Sequence, residues 1–245
     1  MSDIQDTTIM LLAGGRGTRL QPVLGDTPKV LAAVHGRPFI TFLLDKIAAA
    51  GFGSAVLCCA HGAETLRRIL GTEYRDLQLT YSVEEDPLGT AGAARQALNL
   101  TGTGNVLIMN GDTCVNLDLR DYLDWHEKAG IRVSLVVTEV SDCRRFGLVE
   151  LDKSGRVTAF HEKPTAPVAG YVNTGVYLFA RELLERIPPQ EVVSLEKEFL
   201  PTLIGEDLRA YRCPGPFLDI GTPESYARAP QFLSTISADI GEART

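Results

Sequence analysis

The 245-residue chain lacks a long apolar run and lacks an excess of positive charge. No stretch approaches the roughly 18 apolar residues that a membrane-spanning helix needs. Residues 1–8 are polar, without the basic and apolar segments of a secretory signal. We therefore expect a cytoplasmic protein with no membrane partner. The chain has 24 Lys and Arg residues and 31 Asp and Glu residues, which gives a formal net charge of −7. This balance disfavours a nucleic-acid partner, which requires a basic face, but a small anionic ligand needs only a local positive cluster in a cleft.

Paired cysteines and flexible linkers are also missing. The five cysteines are an odd number, form no C-x-x-C pair and lie mostly in apolar, strand-like runs, so we predict buried, reduced thiols. They are Cys58, Cys59, Cys114, Cys143 and Cys213. No internal repeat, low-complexity tract or Gly/Ser-rich linker divides the chain, which predicts one domain over residues 1–245.

Short apolar, β-branched runs alternate with amphipathic stretches, a pattern typical of βαβ units around a parallel sheet. Two runs, residues 146–151 and 157–162, flank the turn Asp152-Lys153-Ser154-Gly155 and predict a hairpin, which would make the sheet mixed. The other predicted strands are residues 8–13, 54–59, 77–83, 105–109, 132–138, 171–179 and 208–213. The predicted helices are residues 39–50, 63–70, 90–98, 119–129, 181–187, 195–204 and 223–233. The pattern predicts an α/β fold with a doubly wound, mostly parallel sheet between two helical layers.

A glycine-rich turn directly follows the first predicted strand. Residues 12–20 read Leu-Ala-Gly-Gly-Arg-Gly-Thr-Arg-Leu. The glycines let the backbone approach a ligand and point N–H groups at it, while Arg16 and Arg19 add positive charge. This composition predicts a phosphate-binding loop, although neither the G-x-G-x-x-G spacing nor a G-K-[ST] sequence is present. The alternative is a tight βα turn with solvent-exposed arginines.

Further short motifs follow this turn in order. They are Pro28-Lys29, Leu88-Gly89-Thr90-Ala91-Gly92-Ala93, Asn110-Gly111-Asp112, Phe146-Gly147, Glu162-Lys163-Pro164, Asn173-Thr174-Gly175 and Asp219-Ile220-Gly221-Thr222-Pro223. Each is weak alone, but the ordered set resembles the sugar-1-phosphate nucleotidyltransferases over nearly the whole chain. The resemblance implies a Rossmann-like, three-layer α/β/α fold and transfer of a nucleoside monophosphate to a sugar 1-phosphate, with release of pyrophosphate. It also implies a nucleotide-binding half near residues 1–130 and a sugar-phosphate-binding half near residues 131–235.

The expected metal site depends on two carboxylates. Asp112 follows a predicted strand at the edge where open α/β sheets bind ligands, so its carboxylate can hold Mg²⁺ against a triphosphate. The alternative is that Asn110-Gly111-Asp112 is an ordinary turn. The resemblance supplies Asp219 as the second metal ligand. Two carboxylates with phosphate oxygens and waters make the incomplete protein site that Mg²⁺ prefers.

The expected catalytic cations follow from the charges that must meet. The reacting oxygen of a sugar 1-phosphate is already an anion, so no general base is needed, but two polyanions repel each other. By resemblance, Lys163 holds the sugar phosphate, Lys29 lies near the transferred phosphoryl group and Arg19 stabilises the leaving pyrophosphate. Together with Asp112 they form the predicted catalytic set. An exposed lysine before Pro164 is the alternative for Lys163.

The remaining expected contacts divide between the two substrates. The nucleotide-binding residues are Leu12, Ala13, Gly14, Gly15, Arg16, Gly17, Thr18, Glu84, Gly89, Thr90 and Gly111. The sugar-phosphate-binding residues are Gly147, Glu162, Lys163, Asn173 and Thr174. Gly147 allows close backbone approach, and Glu162 and Asn173 offer acceptors for vicinal hydroxyls. Both could instead be ordinary polar groups at strand ends.

Glu84 occupies the position that reads the base in similar enzymes. Guanine presents two neighbouring donors, N1–H and N2–H₂, which one carboxylate can accept together, whereas uracil and thymine suit a glutamine better. The sequence therefore favours GTP over other nucleoside triphosphates. The runs at residues 82–90, 194–199 and 217–221 look most like the D-glycero-D-manno-heptose 1-phosphate guanylyltransferases, with mannose 1-phosphate enzymes as close relatives. Whether the chain forms a homo-oligomer stays open.

Two other classes of protein compete with the enzyme. A noncatalytic, ligand-sensing subunit of the same fold would be expected to have lost a metal carboxylate or a phosphate-binding lysine, but all of these are present. The five charged groups are Arg19, Lys29, Asp112, Lys163 and Asp219. A dinucleotide-dependent oxidoreductase would need a different glycine spacing and an acidic residue at the end of the second strand.

Overall fold

A ten-stranded sheet organises the part of the chain that the computed structural model describes, residues 4–15, 17–161 and 163–242, with the side chains of the last helix described to residue 236. The strands of this sheet and of two short side ladders are β1 (Thr7–Leu12), β2 (Ala33–Val34), β3 (Arg37–Pro38), β4 (Ser54–Cys59), β5 (Glu73–Tyr74), β6 (Leu77–Val83), β7 (Asn105–Asn110), β8 (Thr113–Val115), β9 (Val133–Val140), β10 (Leu148–Leu151), β11 (Val157–His161), β12 (Gly170–Ala180), β13 (Arg209–Arg212) and β14 (Phe217–Asp219).

Helices connect these strands. The α-helices are α1 (Gln21–Leu24), α2 (Ile40–Ala49), α3 (Ala63–Leu70), α4 (Gly89–Ala97), α5 (Leu119–Ala129), α6 (Arg181–Leu184), α7 (Leu200–Thr202), α8 (Pro223–Ala227) and α9 (Ala229–Glu242). Single 3₁₀ turns occupy Ile4–Asp6, Lys29–Leu31, Leu98–Leu100 and Ile204–Glu206, and a π-helical turn occupies Leu195–Phe199. No helix among these residues is long and apolar enough to cross a bilayer.

The sheet has a parallel centre. Strands β7, β1, β4 and β6 lie side by side and run in the same direction. Strand β12 runs antiparallel to β7 and pairs along its other edge with β9, which pairs in parallel with β13. The β10–β11 hairpin lies beside the first residues of β12. Strands β5, β11 and β12 therefore run in the opposite direction to the other seven strands. The predicted mixed, mostly parallel sheet is confirmed.

Alternate residues of the central strands point to opposite faces of the sheet, as the period of a strand requires. On β1, Ile9 and Leu11 belong to one buried apolar cluster, which includes Leu44 of α2. Met10 belongs to a second cluster, which includes Ala94 of α4. Helices cover both faces, so the predicted three-layer class is confirmed. The five cysteines are buried and unpaired, as expected.

Two predicted helices are each divided in the structure. The segment predicted as residues 223–233 forms α8 and then α9, because Pro230 has no amide hydrogen to continue the first helix. The segment predicted as residues 195–204 begins with the π-helical turn and continues as α7, with Pro201 near the junction. Pro201 likewise removes a backbone donor, so a regular α-helix cannot run through this segment.

Candidate active site

A cavity of about 350 Å³, called here the small cavity, opens at the carboxyl ends of the parallel strands. Leu12 of β1, Cys58 of β4 and Asn110 of β7 line it, together with Glu84, which directly follows β6. Four neighbouring strands thus contribute one wall residue each. This edge is where open α/β sheets bind ligands, because the connecting loops diverge there.

The glycine-rich turn forms one side of the small cavity. Gly14 and Gly15 line it. A Cβ atom on Gly14 would lie 3.1 Å from the backbone nitrogen of Ala60 and 3.3 Å from Glu84 Oε1, so the turn passes close to its neighbours. Gly17 has a φ of +61°, which favours glycine. The prediction for Arg16 lies outside the described residues.

Two other residues predicted to contact the nucleotide, Ala13 and Gly111, use their backbone N–H groups in hydrogen bonds within the protein. The Ala13 N–H donates to Cys58 O at 2.8 Å, and the Gly111 N–H donates to Leu12 O at 2.9 Å. These amides link neighbouring strand ends and are already engaged. Thr18 lines a different surface hollow, beside the residues that follow the turn. Among residues 13–15 and 17–20, Gly14 and Gly15 line the small cavity.

Lys29 and Asp112, which both line the small cavity, form an ion pair. Lys29 begins a 3₁₀ turn, and Asp112 lies just beyond β7. Their side chains are only 13% and 24% exposed, so solvent screens this pair less than a surface pair. Positive and negative charge therefore meet at one wall of this cavity.

Asp219 is brought beside Asp112 by a short pair of strands. Strand β14 pairs antiparallel with β8, which places Asp219 opposite Thr113, and the Ile220 N–H donates to Asp112 O at 3.0 Å. Burial raises the pKa of the Asp219 carboxyl, and the negative charge of Asp112 raises it further. Two carboxylates thus lie close together with little solvent around them. Three-residue strands carry no usable periodicity, so the sequence did not predict this ladder.

Glu84 is buried and lines the small cavity, as do Gly89 and Thr90. Its Oε2 accepts the N–H of Leu88 at 2.7 Å. Burial raises the pKa of the Glu84 carboxyl, and the Leu88 amide opposes that rise. A carboxylate in this position can accept hydrogen bonds from a ligand that enters the cavity.

A second cavity of about 520 Å³, called here the large cavity, adjoins the first. It brings together predicted residues that are far apart in the sequence: Arg19, Gly147, Lys163, Asn173, Thr174 and Asp219. Arg19 lies in this cavity and not among the residues of the small one. The prediction for Glu162 falls outside the described residues. The cavity therefore combines cations with polar groups.

The polar groups of Asn173 and Thr174 are already bonded within the protein. Asn173 Nδ2 donates to Tyr177 Oη at 2.8 Å, and its Oδ1 accepts the Gly175 N–H at 2.9 Å. The Thr174 hydroxyl donates to Val136 O at 2.9 Å, and Thr174 is buried. These residues shape the floor of the large cavity as part of β12.

Asn110 separates the two cavities and lines both. Among the described residues, its Oδ1 is the buried side-chain polar atom that has no hydrogen-bond partner. A Cβ atom on Gly175 would overlap the Asn110 amide, so the glycine leaves the room that this side chain occupies. Asn110 belongs to the Asn110-Gly111-Asp112 motif but was not predicted as a ligand contact.

Several further residues of the large cavity were not predicted as contacts. They are Arg145, Phe146, Tyr177, Ser194, Glu196, Lys197 and Phe217. The rings of Phe146 and Phe217 meet edge to face, with centroids 5.3 Å apart. The motif that contains Gly147 and the run of residues 194–199 were the signals that pointed to these segments.

Comparison with known proteins identifies the family. The model of the nucleotidyl transferase family matches residues 8–235. The chain therefore belongs to the nucleotidyl transferase family, as the ordered motifs had predicted.

Individual relatives agree with this family. The chain is 35% identical to a mannose-1-phosphate guanylyltransferase of Mycobacterium tuberculosis, over 89% of this chain and 62% of that protein, so it spans less than two thirds of that relative. It is 30% identical to a D-glycero-alpha-D-manno-heptose 1-phosphate guanylyltransferase of Aneurinibacillus thermoaerophilus, over 91% of this chain and 97% of that one. The crystal structure of HddC from Yersinia pseudotuberculosis, complexed with GMP-PN, superposes with a TM-score of 0.82 at 28% identity, over 91% and 98% of the two chains.

Proposed function

We propose that this protein transfers GMP from GTP to a sugar 1-phosphate, giving a GDP-sugar and pyrophosphate. The favoured acceptor is D-glycero-D-manno-heptose 1-phosphate. The observation that carries the proposal is the charged group of Lys29, Asp112 and Asp219 where two adjoining cavities meet. Two anionic substrates in separate cavities would approach each other at this group. Guanylyltransferases of similar length, such as the Aneurinibacillus enzyme, support the choice of base and sugar.

The nucleotide is proposed to occupy the small cavity. Gly14 and Gly15 would lie against its phosphates, because glycine allows the backbone close approach to a ligand. Glu84 would accept the two neighbouring donors on the pairing edge of guanine. Its burial supports this role, since a hydrogen bond to a poorly solvated carboxylate discriminates strongly between partners.

The sugar 1-phosphate is proposed to occupy the large cavity. Lys163 lines it and would neutralise the phosphate. Arg19, which the resemblance assigned to the leaving pyrophosphate, lines this cavity instead, so we reassign its charge to the sugar phosphate. Gly147 and Asn173 would contact the sugar ring, with the rigid floor of β12 beneath it. We extend the sugar-phosphate role to Arg145, because it lines the same cavity and its positive charge lies near Asp219.

The pair Asp112 and Asp219 fits a divalent cation. The Lys29 ammonium already lies against Asp112, so this carboxylate attracts positive charge, and the raised pKa of Asp219 reflects burial and carboxylate repulsion that a cation would relieve. No group of three or more His, Cys, Asp or Glu side chains suited to a metal occurs in the described part of the chain. Mg²⁺ suits this partial site, because it commonly completes its coordination with phosphate oxygens and water. When bound, it would offset the negative charge of the triphosphate.

The chain's own residues would then position and neutralise the reactants. The sugar phosphate oxygen would attack the α-phosphorus in line, and pyrophosphate would leave on the opposite side. Lys29 would neutralise charge at the transferred phosphoryl group and Lys163 would do so at the attacking phosphate. No side chain is required to remove a proton, since the attacking oxygen is already ionised.

A pyrophosphate-release assay tests the proposal. Four nucleoside triphosphates are combined with the 1-phosphates of D-glycero-D-manno-heptose, mannose, glucose and N-acetylglucosamine, each with Mg²⁺ and with EDTA. We expect release with GTP and the heptose phosphate, and none with EDTA. Equal turnover of UTP would contradict the base assignment. No pyrophosphate release from any pair of substrates would contradict the proposed transferase activity.

Mannose 1-phosphate is the second candidate acceptor. The relative with the highest identity quoted above is named for that sugar. Comparing kcat/KM for the heptose and mannose phosphates with GTP separates the two candidates. A higher kcat/KM for mannose 1-phosphate would assign the protein to the second candidate.

A further inference from the structure

Glu196 joins the small cavity to the large cavity by hydrogen bonds. It lies in the π-helical turn and lines the large cavity. The hydroxyl of Thr90, in the first turn of α4 at the small cavity, donates to Glu196 Oε2 at 2.9 Å. The phenol of Tyr177, on β12 beneath the large cavity, donates to Glu196 Oε1 at 3.0 Å. One carboxylate therefore bonds to groups from both cavities.

The hydrogen bonds continue in both directions from this carboxylate. On the large-cavity side, Asn173 donates to the Tyr177 phenol at 2.8 Å. On the small-cavity side, the segment that leads to Glu196 is bonded through Val193 N–H to Leu88 O at 2.9 Å, and Leu88 N–H donates to Glu84 at 2.7 Å. Bonded groups thus connect the proposed base-reading residue with a proposed sugar contact.

The backbone around Glu196 is fastened to the start of α4. The first N–H groups of a helix have no partner within the helix. Here Val193 O accepts the amides of Ala91 at 2.9 Å and Gly92 at 3.3 Å, and the Leu195 N–H donates to the Thr90 hydroxyl at 2.7 Å. A Cβ atom on Gly89 would lie 2.5 Å from Val193 O, so only glycine permits this approach. The two segments are expected to move together.

The carboxylate of Glu196 is well supplied with donors. The Ser194 hydroxyl at 3.1 Å adds to those of Thr90 and Tyr177. Tyr177 is fully buried, so its phenol needs this acceptor. A shift of α4 as a nucleotide enters would therefore change the position of Tyr177 and of the floor that it supports.

Building on the proposed function, we propose that Glu196 is a positioning residue that couples nucleotide binding to sugar 1-phosphate binding. Each ligand then raises the affinity for the other by the same factor, because coupling between two sites is reciprocal. The carboxylate need not contact either substrate for this role. Its three donors hold the nucleotide-side helix and the sugar-side strand in one arrangement.

Calorimetric titration measures this coupling without turnover. The nucleotide probe is α,β-methylene GTP with Mg²⁺, in which a carbon replaces the oxygen between the α- and β-phosphorus atoms, so pyrophosphate cannot leave. The sugar probe is whichever of the heptose or mannose 1-phosphates is turned over faster. For the wild-type protein, we expect saturating sugar phosphate to lower the Kd of the nucleotide about fivefold or more. Glu196→Gln should bring this ratio close to one, because the amide nitrogen cannot accept a hydroxyl hydrogen.

Matched variants separate coupling from general damage. Glu198→Gln changes an exposed glutamate two residues along, which accepts the Ser194 N–H, and should keep the wild-type ratio. Thr90→Ser keeps the hydroxyl and should keep the ratio, whereas Thr90→Val should lose it. Thr90→Val also serves as the second test if Glu196→Gln does not fold.

The possible outcomes separate this proposal from the proposed function. A wild-type ratio near one, or an unchanged ratio in folded Glu196→Gln, overturns the coupling role. Binding of neither ligand by the wild-type protein in single titrations contradicts the proposed function instead. Loss of the ratio in both Glu196→Gln and Thr90→Val, with each ligand still binding alone, supports the coupling role.

Discussion

The small cavity and the large cavity are assembled in different ways. Much of the lining of the small cavity lies at or just after the ends of the parallel strands, so short, local motifs supply it. The large cavity combines the β10–β11 hairpin, the middle of β12 and the π-helical turn, which come together only through long-range packing. Glycine-rich loops at strand ends can be recognised in a sequence, whereas a pocket made from distant segments cannot.

The two cavities also differ in charge. Lys29 is the cation among the described residues that line the small cavity, and it is paired with Asp112. Four cationic side chains of the described chain line the large cavity: Arg19, Arg145, Lys163 and Lys197. An anion in the large cavity would thus meet side-chain charge, while in the small cavity backbone groups and a cation held by carboxylates would have to compensate. Variants on each side and at their junction test this difference.

Asp112→Asn, at the junction, should have the largest effect. The amide removes negative charge from the proposed metal site, so turnover should fall by on the order of a hundredfold or more with either substrate varied. Pyrophosphate release gives the rate, and thermal unfolding checks that the fold persists. Asp76→Asn, an exposed change, is the control. A rate near the wild-type value for Asp112→Asn would disprove the metal assignment.

Lys163→Met should weaken binding only of the sugar 1-phosphate, the substrate proposed for the large cavity. Loss of a charged hydrogen bond to phosphate should raise the KM for the sugar 1-phosphate by roughly tenfold to a hundredfold, with little change in the KM for GTP. Steady-state kinetics with each substrate varied measures both values. Lys153→Met, in the exposed hairpin turn, should leave both unchanged. An equal rise in both KM values would show that the cavities do not divide the substrates as proposed.

Glu84→Gln should change only the use of the nucleotide, the substrate proposed for the small cavity. Gln can still accept the Leu88 N–H, but it cannot accept both guanine donors, so kcat/KM for GTP should fall about tenfold or more. The value for UTP should fall less or rise. Glu85→Gln, next in the chain and exposed, is the matched control. A uniform fall for both nucleotides would argue against base reading by Glu84.

His126 lines neither cavity, so its protonation should change the free energy of unfolding and not the activity. Burial lowers its pKa from 6.5 to about 4, so between these pH values the unfolded chain binds more protons than the folded chain. The free energy of unfolding should therefore fall as pH drops through this window, by up to about 3 kcal/mol from this group.

The pH dependence can be assigned to His126 by substitution. Denaturant unfolding of wild-type and His126→Asn proteins at pH 7 and pH 4.5 measures it, with the exposed His61→Asn as control. His126→Asn should show a smaller loss of stability at low pH, because it has no group to protonate in this range. Identical pH profiles for wild-type and His126→Asn would contradict the assignment.

Local patterning predicted much of the fold. The bounds predicted for β4, β6, α3 and α5 agree with the structure, because apolar periodicity and flanking glycines mark them. The hairpin of residues 148–161 was also predicted from its turn. The short β8 and β14 strands were not predicted, since three residues show no period, although their pairing brings Asp112 and Asp219 together. The divisions near Pro201 and Pro230 were not predicted, because the apolar residues that suggest a helix continue on both sides of each proline.

The sequence by itself determined the α/β class, the family and the order of its motifs, because these depend on residue type and spacing along the chain. Only the tertiary structure decided which side chains share a cavity, and it placed Arg19 and Lys163 in one cavity, Asn110 between the two cavities and Glu196 between Thr90 and Tyr177. These contacts join residues that are far apart in the chain, so their geometry exists only once the sheet and both helical layers have packed.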